Sequence, residues 1–403
     1  MDKKVSLIPV SEALRKVLGQ TEDFGIEEVE FTNSLGRVLK ESIKADRDLP
    51  PFDRVSMDGI AINSKSFDEG LREFPIENVQ AAGSKQLSLQ NKINCLEAMT
   101  GAMLPIGTDA VIPYELITIE NDIAKVNIEE LRIFQNIHKK GLDNAEGEEL
   151  IPVNTKISAA EIGVLATVGK DKVKVARNPK IAIISTGDEL VNVDQVPEPF
   201  QIRKSNVHTL SALLENENLE TSVFHITDDK TLLKNQIAHL LEVFDVLMFS
   251  GAVSKGKFDF LPEVLDELGV EKYFHKVKQR PGKPFWFGKK KKATIFAFPG
   301  NPVSTFVSCL KYFMPWFQKS QGLDFDHKHY AVLADDFSFK PELTYFLQVK
   351  INNEEGRLMA KPVAGNGSGD LANLTLNDAF LELPSNKDLF KKGEIFPIVK
   401  YRY

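Results

Sequence analysis

Three short loops hold most of the residues that could do chemistry. The apolar run 246–249 is followed by Ser250-Gly251-Ala252-Val253-Ser254-Lys255-Gly256, and two further loops read Arg280-Pro281-Gly282-Lys283-Pro284-Phe285 and Phe298-Pro299-Gly300-Asn301-Pro302-Val303-Ser304. Each follows a strand-like run, and two of the three lead into helix-like sequence. Small residues let backbone N–H groups approach an anion, and a helix N-terminus favours negative charge. In an open α/β sheet, ligands bind in the crevice at the carboxyl ends of the strands. The stretch 246–304 therefore reads as a site for a phosphorylated ligand.

The elements that must position these loops begin near Pro179. Residues 181–184 form a continuous apolar run, as expected for a parallel strand covered on both faces, and end in Ser185-Thr186-Gly187-Asp188-Glu189. Helices are expected over 206–217 and 230–243, with a strand at 221–226 between them ending in Thr227-Asp228-Asp229. Asp259 suits the N-cap of a helix over 260–268, and Asp228 suits the start of the helix after the second strand. Strands are expected at 272–278, 284–287 and 294–298. Lys276 and Lys278 alternate on the first of these, so one of them faces solvent. Lys289 to Lys292 read as a solvated tip. Asn301 as N-cap and Pro302 as first helical residue open a helix that runs past Phe313.

Upstream, Ser11 is expected to cap a short helix over 11–18. Residues 47–143 are β-rich, with short apolar runs between Gly, Pro, Asn and Asp; Ser56-Met57-Asp58-Gly59-Ile60-Ala61 and Met99-Thr100-Gly101-Ala102 stand out there. Residues 144–177 share the texture of the opening segment and include a helix-like run at 159–168. Past residue 327 the helical period gives way to short alternating runs such as 345–349 and 380–383, read as a small β-barrel. It carries the loop Gly365-Asn366-Gly367-Ser368-Gly369-Asp370. The expected organisation is therefore multidomain α/β plus β. An elongated two-segment domain comprises 1–46 and 144–177, a β-rich inserted domain 47–143, a doubly wound domain 178–326, and a C-terminal barrel 327–403.

The totals narrow the function classes. The formal charge is −7, from 50 Lys and Arg against 57 Asp and Glu, which argues against general nucleic-acid binding. The two cysteines, Cys95 and Cys309, exclude a disulfide framework and a Cys-rich zinc site. The histidines show no metal-ligand spacing. Met1 to Pro9 lacks the apolar core of a signal peptide, and no uninterrupted apolar run approaches the roughly 20 residues that span a bilayer. A cytoplasmic protein without membrane partners is the expectation.

Together the motifs resemble the molybdopterin molybdenumtransferases of the MoeA type, also present as the E domain of gephyrin. Met57-Asp58-Gly59, Met99-Thr100-Gly101-Ala102, Ser185-Thr186-Gly187-Asp188-Glu189-Leu190, the Ser250 to Gly256 loop, Pro281-Gly282-Lys283-Pro284-Phe285 and Pro299-Gly300-Asn301-Pro302-Val303-Ser304 stand in the family's order along nearly the whole chain. The resemblance implies the architecture above, a homodimer with an active site shared between subunits, and a reaction that takes adenylylated molybdopterin and molybdate. That reaction yields molybdenum cofactor and releases AMP with Mg²⁺ assisting; an upstream adenylyltransferase is an implied partner.

On that resemblance, Gly187, Ser250, Gly251, Ser254, Lys283, Gly300, Asn301, Pro302, Ser304 and Ser368 hold the pterin and phosphate. Lys276, Arg280 and Lys283 face molybdate or phosphate through charge-assisted hydrogen bonds. Asp58, Glu189, Asp228 and Asp259 position a water and Mg²⁺, with Asp228 and Asp259 as its ligands, and Thr100 is a hydroxyl donor beside them. The chain departs from the family's usual pattern at Arg54-Val55, Ile60, Lys204, Ala252 and Arg280. Arg and Lys are not equivalent at an oxyanion site. A second reading, a pterin- or nucleotide-binding paralogue without catalysis, and a third, an enzyme of another nucleotide pyrophosphate, share the doubly wound core.

Overall fold

The computed structural model describes residues 7–251, 253, 259–324 and 329–402. The chain divides into two compact units, one made of 1–28, 36–40 and 174–403 and the other of 29–35 and 41–173.

The larger unit is built on a six-stranded sheet. Its elements in chain order are β1 (Ile181–Thr186), α1 (Asn206–Glu215), β2 (Thr221–Ile226), α2 (Lys230–Val243), β3 (Val246–Ser250), α3 (Leu261–Glu267), β4 (Glu271–His275), β5 (Trp286–Lys290), β6 (Ala293–Phe298) and α4 (Pro302–Ser308). The spatial order is β2-β1-β3-β6-β5-β4. The first four strands run parallel in register, with Ser185 beside His225 and Ser250, and Ser250 beside Phe298. β5 and β4 are antiparallel additions. Parallel strands joined by crossover helices carry apolar side chains on both faces, and β1, β3 and β6 are buried throughout. All four parallel strands end on one edge, so the loops after residues 186, 226, 250 and 298 converge there.

One face of this sheet is mostly aromatic. Phe285 packs against Phe298 at 5.5 Å and Tyr312 at 4.7 Å between ring centroids, and Phe296 meets Trp316 edge-on at 5.3 Å. The helix Val10–Leu18 lays Val10, Ala13 and Val17 into the same core. Its N-cap is Pro9, which offers no side-chain hydrogen bond, so Ser11 lies inside the helix rather than capping it. α4 continues through a π-helical turn at Cys309–Phe313 into Met314–Ser320. The expected solvated lysine tip is only partly so: Lys289 is 19% exposed and pairs with Glu22, while Lys291 and Lys292 form the exposed turn between β5 and β6.

The C-terminal part of this unit is a barrel. Thr344–Glu354, Arg357–Pro362, His329–Leu333, Ile395–Lys400 and Ala379–Leu383 pair in that order, and the last closes back onto the first. Gln279–Arg280 adds to it as a further strand, parallel to Thr344 and Tyr345. The segment that carries Arg280 therefore leaves the α/β sheet after His275 and joins the barrel.

In the smaller unit, a six-stranded sheet is ordered Ala110–Pro113, Gly59–Ile62, Cys95–Ala98, Glu73–Gln80, Ile123–Val126 and Ile117–Glu120. Gly59 is required in it, because a Cβ there would stand 2.0 Å from the Ile112 carbonyl oxygen. Ser158 and Glu161 form a capping box on the helix Ala159–Thr167, which satisfies N-terminal N–H groups reciprocally.

The aromatic packing predicts a specific cost. Phe285 is fully buried directly after the Pro281–Pro284 turn. Phe285→Ala should lower stability by about 3–5 kcal/mol, measured as a shift of the urea unfolding midpoint; a loss below about 1 kcal/mol would contradict its place in the core.

Candidate functional site

The edge where the parallel strands end is a meeting of loops held by side chains. Asn206, the first residue of α1, donates from Nδ2 to Ser250 Oγ at 2.8 Å and to the Gly300 carbonyl at 2.7 Å. The Gly251 N–H donates to the Phe298 carbonyl at 3.1 Å. The loops after β3 and β6 are thus tied together, with Gly251 at φ +109°, a conformation that glycine alone adopts readily. Gly187 is at φ +130°, and a Cβ there would fall 2.4 Å from a carboxylate oxygen of Glu189; the missing side chain is what lets Glu189 fold back over the loop.

The acids gather beside these loops. The Asp228 N–H donates to Asp188 Oδ1 at 3.2 Å. Partial burial, then the carboxylates of Asp188 and Glu189 and more weakly Asp259, push the Asp228 carboxyl above its ordinary range. The capping roles allowed by the sequence fall to other residues. Asp229 caps α2 by accepting the Leu232 N–H at 2.8 Å, and Phe260 occupies the N-cap position of α3. Neither Asp228 nor Asp259 is the capping residue of its helix. Among the described residues, no group of three or more His, Cys, Asp or Glu is placed to hold a metal by itself.

A cleft of about 520 Å³ opens between the α/β part and the barrel of the same unit, and Arg280, Lys283, Asn301, Ser304, Tyr345 and Ser368 are among its lining residues. Asn301 holds the N-cap position of α4, but its side chain makes no cap bond; Nδ2 instead donates to Ser368 Oγ at 2.8 Å, and the Val303 N–H donates to the Ser368 carbonyl at 3.1 Å. Pro302 is the first helical residue. The barrel loop is braced from behind, since Asp370 accepts the Asn366 N–H at 3.0 Å and Gln348 accepts from Asn373 and Asn377 at 2.8 and 2.9 Å. On the opposite wall, Gly282 at φ +89° sits against the Gln279 amide and the Ser308 hydroxyl, and Gln279 Oε1 in turn accepts a hydrogen bond from the Tyr312 hydroxyl. Arg280 lies 5.9 Å from the Phe339 ring, which stacks on Tyr345.

Lys276 stands apart from this lining. β4 ends at His275, and Lys276 takes φ +91°, so Lys276 and Lys278 do not alternate on a regular strand; Lys276 is half-buried outside the cleft. Its neighbour His275 donates from Nε2 to the Val253 carbonyl at 2.9 Å, and burial lowers its pKa. Ser254, with Ala252, Lys255 and Gly256, lies outside the described residues.

In the smaller unit the structure brings Asp58 and Thr100 together. The Thr100 N–H donates to Asp58 Oδ1 at 2.6 Å, and that bond, followed by the Thr100 hydroxyl, lowers the Asp58 pKa. Asp58 is fully exposed, so it is a solvated, hydrogen-bonded carboxylate.

Three family models match in chain order: "MoeA N-terminal region (domain I and II)" over residues 8–169, "Probable molybdopterin binding domain" over 182–319, and "MoeA C-terminal region (domain IV)" over 330–401. A molybdopterin molybdenumtransferase of Synechocystis is 39% identical, covering 97% of this chain and 99% of its own length. The enzyme of that name from Bacillus subtilis is 32% identical over 100% and 96%. The chain belongs to the molybdopterin molybdenumtransferase family. A crystal structure of a molybdopterin biosynthesis MoeA protein from Pyrococcus horikoshii superposes with a TM-score of 0.81 at 30% identity, covering 99% of this chain and 100% of that one.

Against the family pattern, the departures now have locations. Ile60 is fully buried in the smaller unit's sheet, so its side chain serves the core there. Val55 is buried likewise. Lys204 donates to Asn192 at 2.9 Å. Arg280 lines the cleft. The sequence reading did not single out Asn206, Asp188, Gln279 or Tyr345. Asn206 stood at an expected helix start and Asp188 within a motif, but only the fold shows what their side chains reach.

The crowding of carboxylates gives a pH test. A carboxyl whose pKa rises on folding penalises the folded state where it is ionised; the penalty is complete above the folded pKa and gone below the unfolded one. Asp228→Asn should raise the melting temperature of ligand-free protein at pH 7, and the gain should fade as pH falls through the folded pKa. A lower melting temperature at pH 7 would contradict the repulsion.

Proposed function

We propose that this protein completes molybdenum cofactor biosynthesis by inserting molybdate into adenylylated molybdopterin with release of AMP. The observation that carries the reading is the pairing of two unlike subsites in one unit: an acid-rimmed loop cluster where the parallel strands end, and an adjoining cleft with Arg280 and Lys283 on its wall. The Gly300-Asn301 loop belongs to both. A phosphoanhydride with a pterin dithiolene at one end and a nucleotide at the other needs that combination. The family's named relatives are transferases, which sets aside the non-catalytic reading.

In this account Gly187, Ser250, Gly251 and Gly300 offer close backbone approach to phosphate, and Pro302 fixes the start of the helix behind them. Arg280 and Lys283 hold the tetrahedral oxyanion as charge-assisted donors, with Ser304 and Ser368 as hydroxyl partners. Arg280 presents a planar fork where a lysine would present a point charge, and its backbone is anchored by pairing with Tyr345. Asp228 and Asp259 supply hard oxygen donors of the kind Mg²⁺ takes, two carboxylates completed by substrate phosphate. When bound, the ion offsets phosphate charge. Glu189 and Asp188 orient that region. Lys276 is a further cation of the larger unit, and Asp58 with Thr100 forms a separate hydrogen-bonded pair on the smaller one.

We assign the chain four parts: 1–46 with 144–177, 47–143, 178–326 and 327–403. A homodimer, a cytoplasmic location and an upstream adenylyltransferase follow from the same family reading. No helix among the described residues is long and apolar enough to cross a membrane.

Purified protein given adenylylated molybdopterin, Mg²⁺ and molybdate should release AMP only when molybdate is present. Arg280→Met should raise the molybdate concentration for half-maximal release by about tenfold or more, the cost of one charge-assisted pair. AMP release that ignores molybdate, or tight pterin binding with no release, would overturn the reading.

A further inference from the structure

Gln348 lines the cleft with one end of its amide uncommitted. It lies on the barrel strand Thr344–Glu354. Side chains alternate along a strand. Leu347 and Val349 are buried in the barrel core, whereas Phe346 packs into the aromatic core of the α/β part. Gln348 shares the side of Phe346 and contributes to the cleft wall. Its Oε1 accepts from Asn373 Nδ2 at 2.8 Å and from Asn377 Nδ2 at 2.9 Å. Two donors on one atom fix the polarity of the amide, because its NH₂ end cannot accept them. Nε2 makes no hydrogen bond to a described residue, and it is open to solvent, unlike the neighbouring Asn377 Oδ1, which is unpartnered and buried.

The other carboxamides of the cleft are committed. Gln279 Nε2 donates to the Pro281 carbonyl at 3.1 Å, Asn301 Nδ2 to Ser368 Oγ at 2.8 Å and Asn366 Nδ2 to Asp370 Oδ2 at 3.2 Å. Among the described residues that line the cleft, Gln348 alone keeps an amide NH₂ without an acceptor. Arg280 and Lys283 line the same space, and no carboxylate among the described residues does. Ser368 Oγ accepts from Asn301, which leaves its proton to donate. The charged and amide groups offered to the cleft are therefore donors, with two positive charges between them.

We propose that Gln348 selects the oxyanion: Nε2 donates to one oxygen of a tetrahedral dianion in this cleft and disfavours an oxyanion that carries a proton, such as hydrogen phosphate. This rests on the function proposed above and supplies a basis for its choice of ion. The four oxygens of molybdate only accept, so each meets a donor. Hydrogen phosphate carries an O–H group, and an O–H turned toward Nε2 sets donor against donor and leaves both unpaired. A neutral amide at this position also keeps the charge of the wall at two, matched to a dianion.

The test measures AMP release by the full-length protein, with inorganic phosphate as competitor of molybdate. Gln348→Glu keeps the size and an oxygen for Asn373 and Asn377 but turns the donor into an acceptor; Gln348→Met removes the donor without adding charge. The KM for molybdate should rise about tenfold or more in Gln348→Glu and about fivefold or more in Gln348→Met, as for loss of a hydrogen bond to a charged group. The KM for adenylylated molybdopterin should stay within about threefold of the parent in both, since the lost bond is to the oxyanion. The parent should need far more phosphate than molybdate to fill the site, and Gln348→Glu should narrow that gap, because its carboxylate can accept the phosphate proton. Unchanged molybdate KM values in both variants, with molybdate-dependent release intact in the parent, would overturn the inference and leave the proposed function standing. A rise confined to Gln348→Glu would reduce it to charge repulsion and overturn it. A gap that does not narrow would overturn the selection. Equal rises in both KM values together with a lower melting temperature would overturn it in favour of a structural role. AMP release by the parent that ignores molybdate would overturn both this inference and the function on which it rests.

Discussion

One side-chain amide ties the site together. Asn206 Nδ2 donates both to Ser250 and to the Gly300 carbonyl, so the loops that leave two neighbouring parallel strands cannot part without losing two hydrogen bonds at once. Parallel strands ending in register place their loops on one edge, where the Gly251 N–H still bonds the Phe298 carbonyl. Asn206 adds a side-chain tie from the first turn of α1. Because Gly300 runs directly into Asn301, whose amide reaches Ser368, the same constraint passes from the sheet edge to the barrel loop. A chain of three short contacts therefore aligns the phosphate-type loops with the cationic cleft.

Charge is divided along this chain in a way that fits a two-ended substrate. Carboxylates collect at the ends of β1 and β2, where partial burial, then Asp188 and Glu189 and more weakly Asp259, raise the pKa of Asp228. Cations lie on the cleft wall, where Arg280 and Lys283 flank the Pro281-Gly282 turn. Asp229 caps α2, and Phe260 stands at the cap position of α3. The barrel contributes an edge to the same design: the segment carrying Arg280 pairs with it as a strand, and Gln348, Asn373 and Asn377 brace the loop that ends at Ser368.

Much of this was legible in the sequence, for identifiable reasons. Continuous apolar runs such as 181–184 and 246–249 can sit only in a doubly covered sheet, so the parallel core and its loops followed directly. α2 begins and ends where its periodicity places it, at Lys230 and Val243. Side-chain destinations were less legible. Asp228 and Asp229 are identical in type and adjacent, and only the helix's first turn decides which one caps. Asn301 occupies the expected cap position yet uses its amide on a residue 67 positions away. Lys276 sits in a left-handed turn that alternation could not anticipate, because the strand ends where the chain crosses to the barrel. Lys289 finds Glu22 across 267 residues of sequence, a pairing that no local charge pattern reveals.

The central claim is that sheet edge and barrel cleft form one continuous site within the larger unit. Anomalous diffraction from crystals soaked with molybdate and AMP tests it most directly. The account predicts molybdenum density against Arg280, Lys283 and Ser368, with the AMP phosphate at the Gly251 and Gly300 loops. Molybdenum bound elsewhere while that cleft stays open to solvent would contradict it.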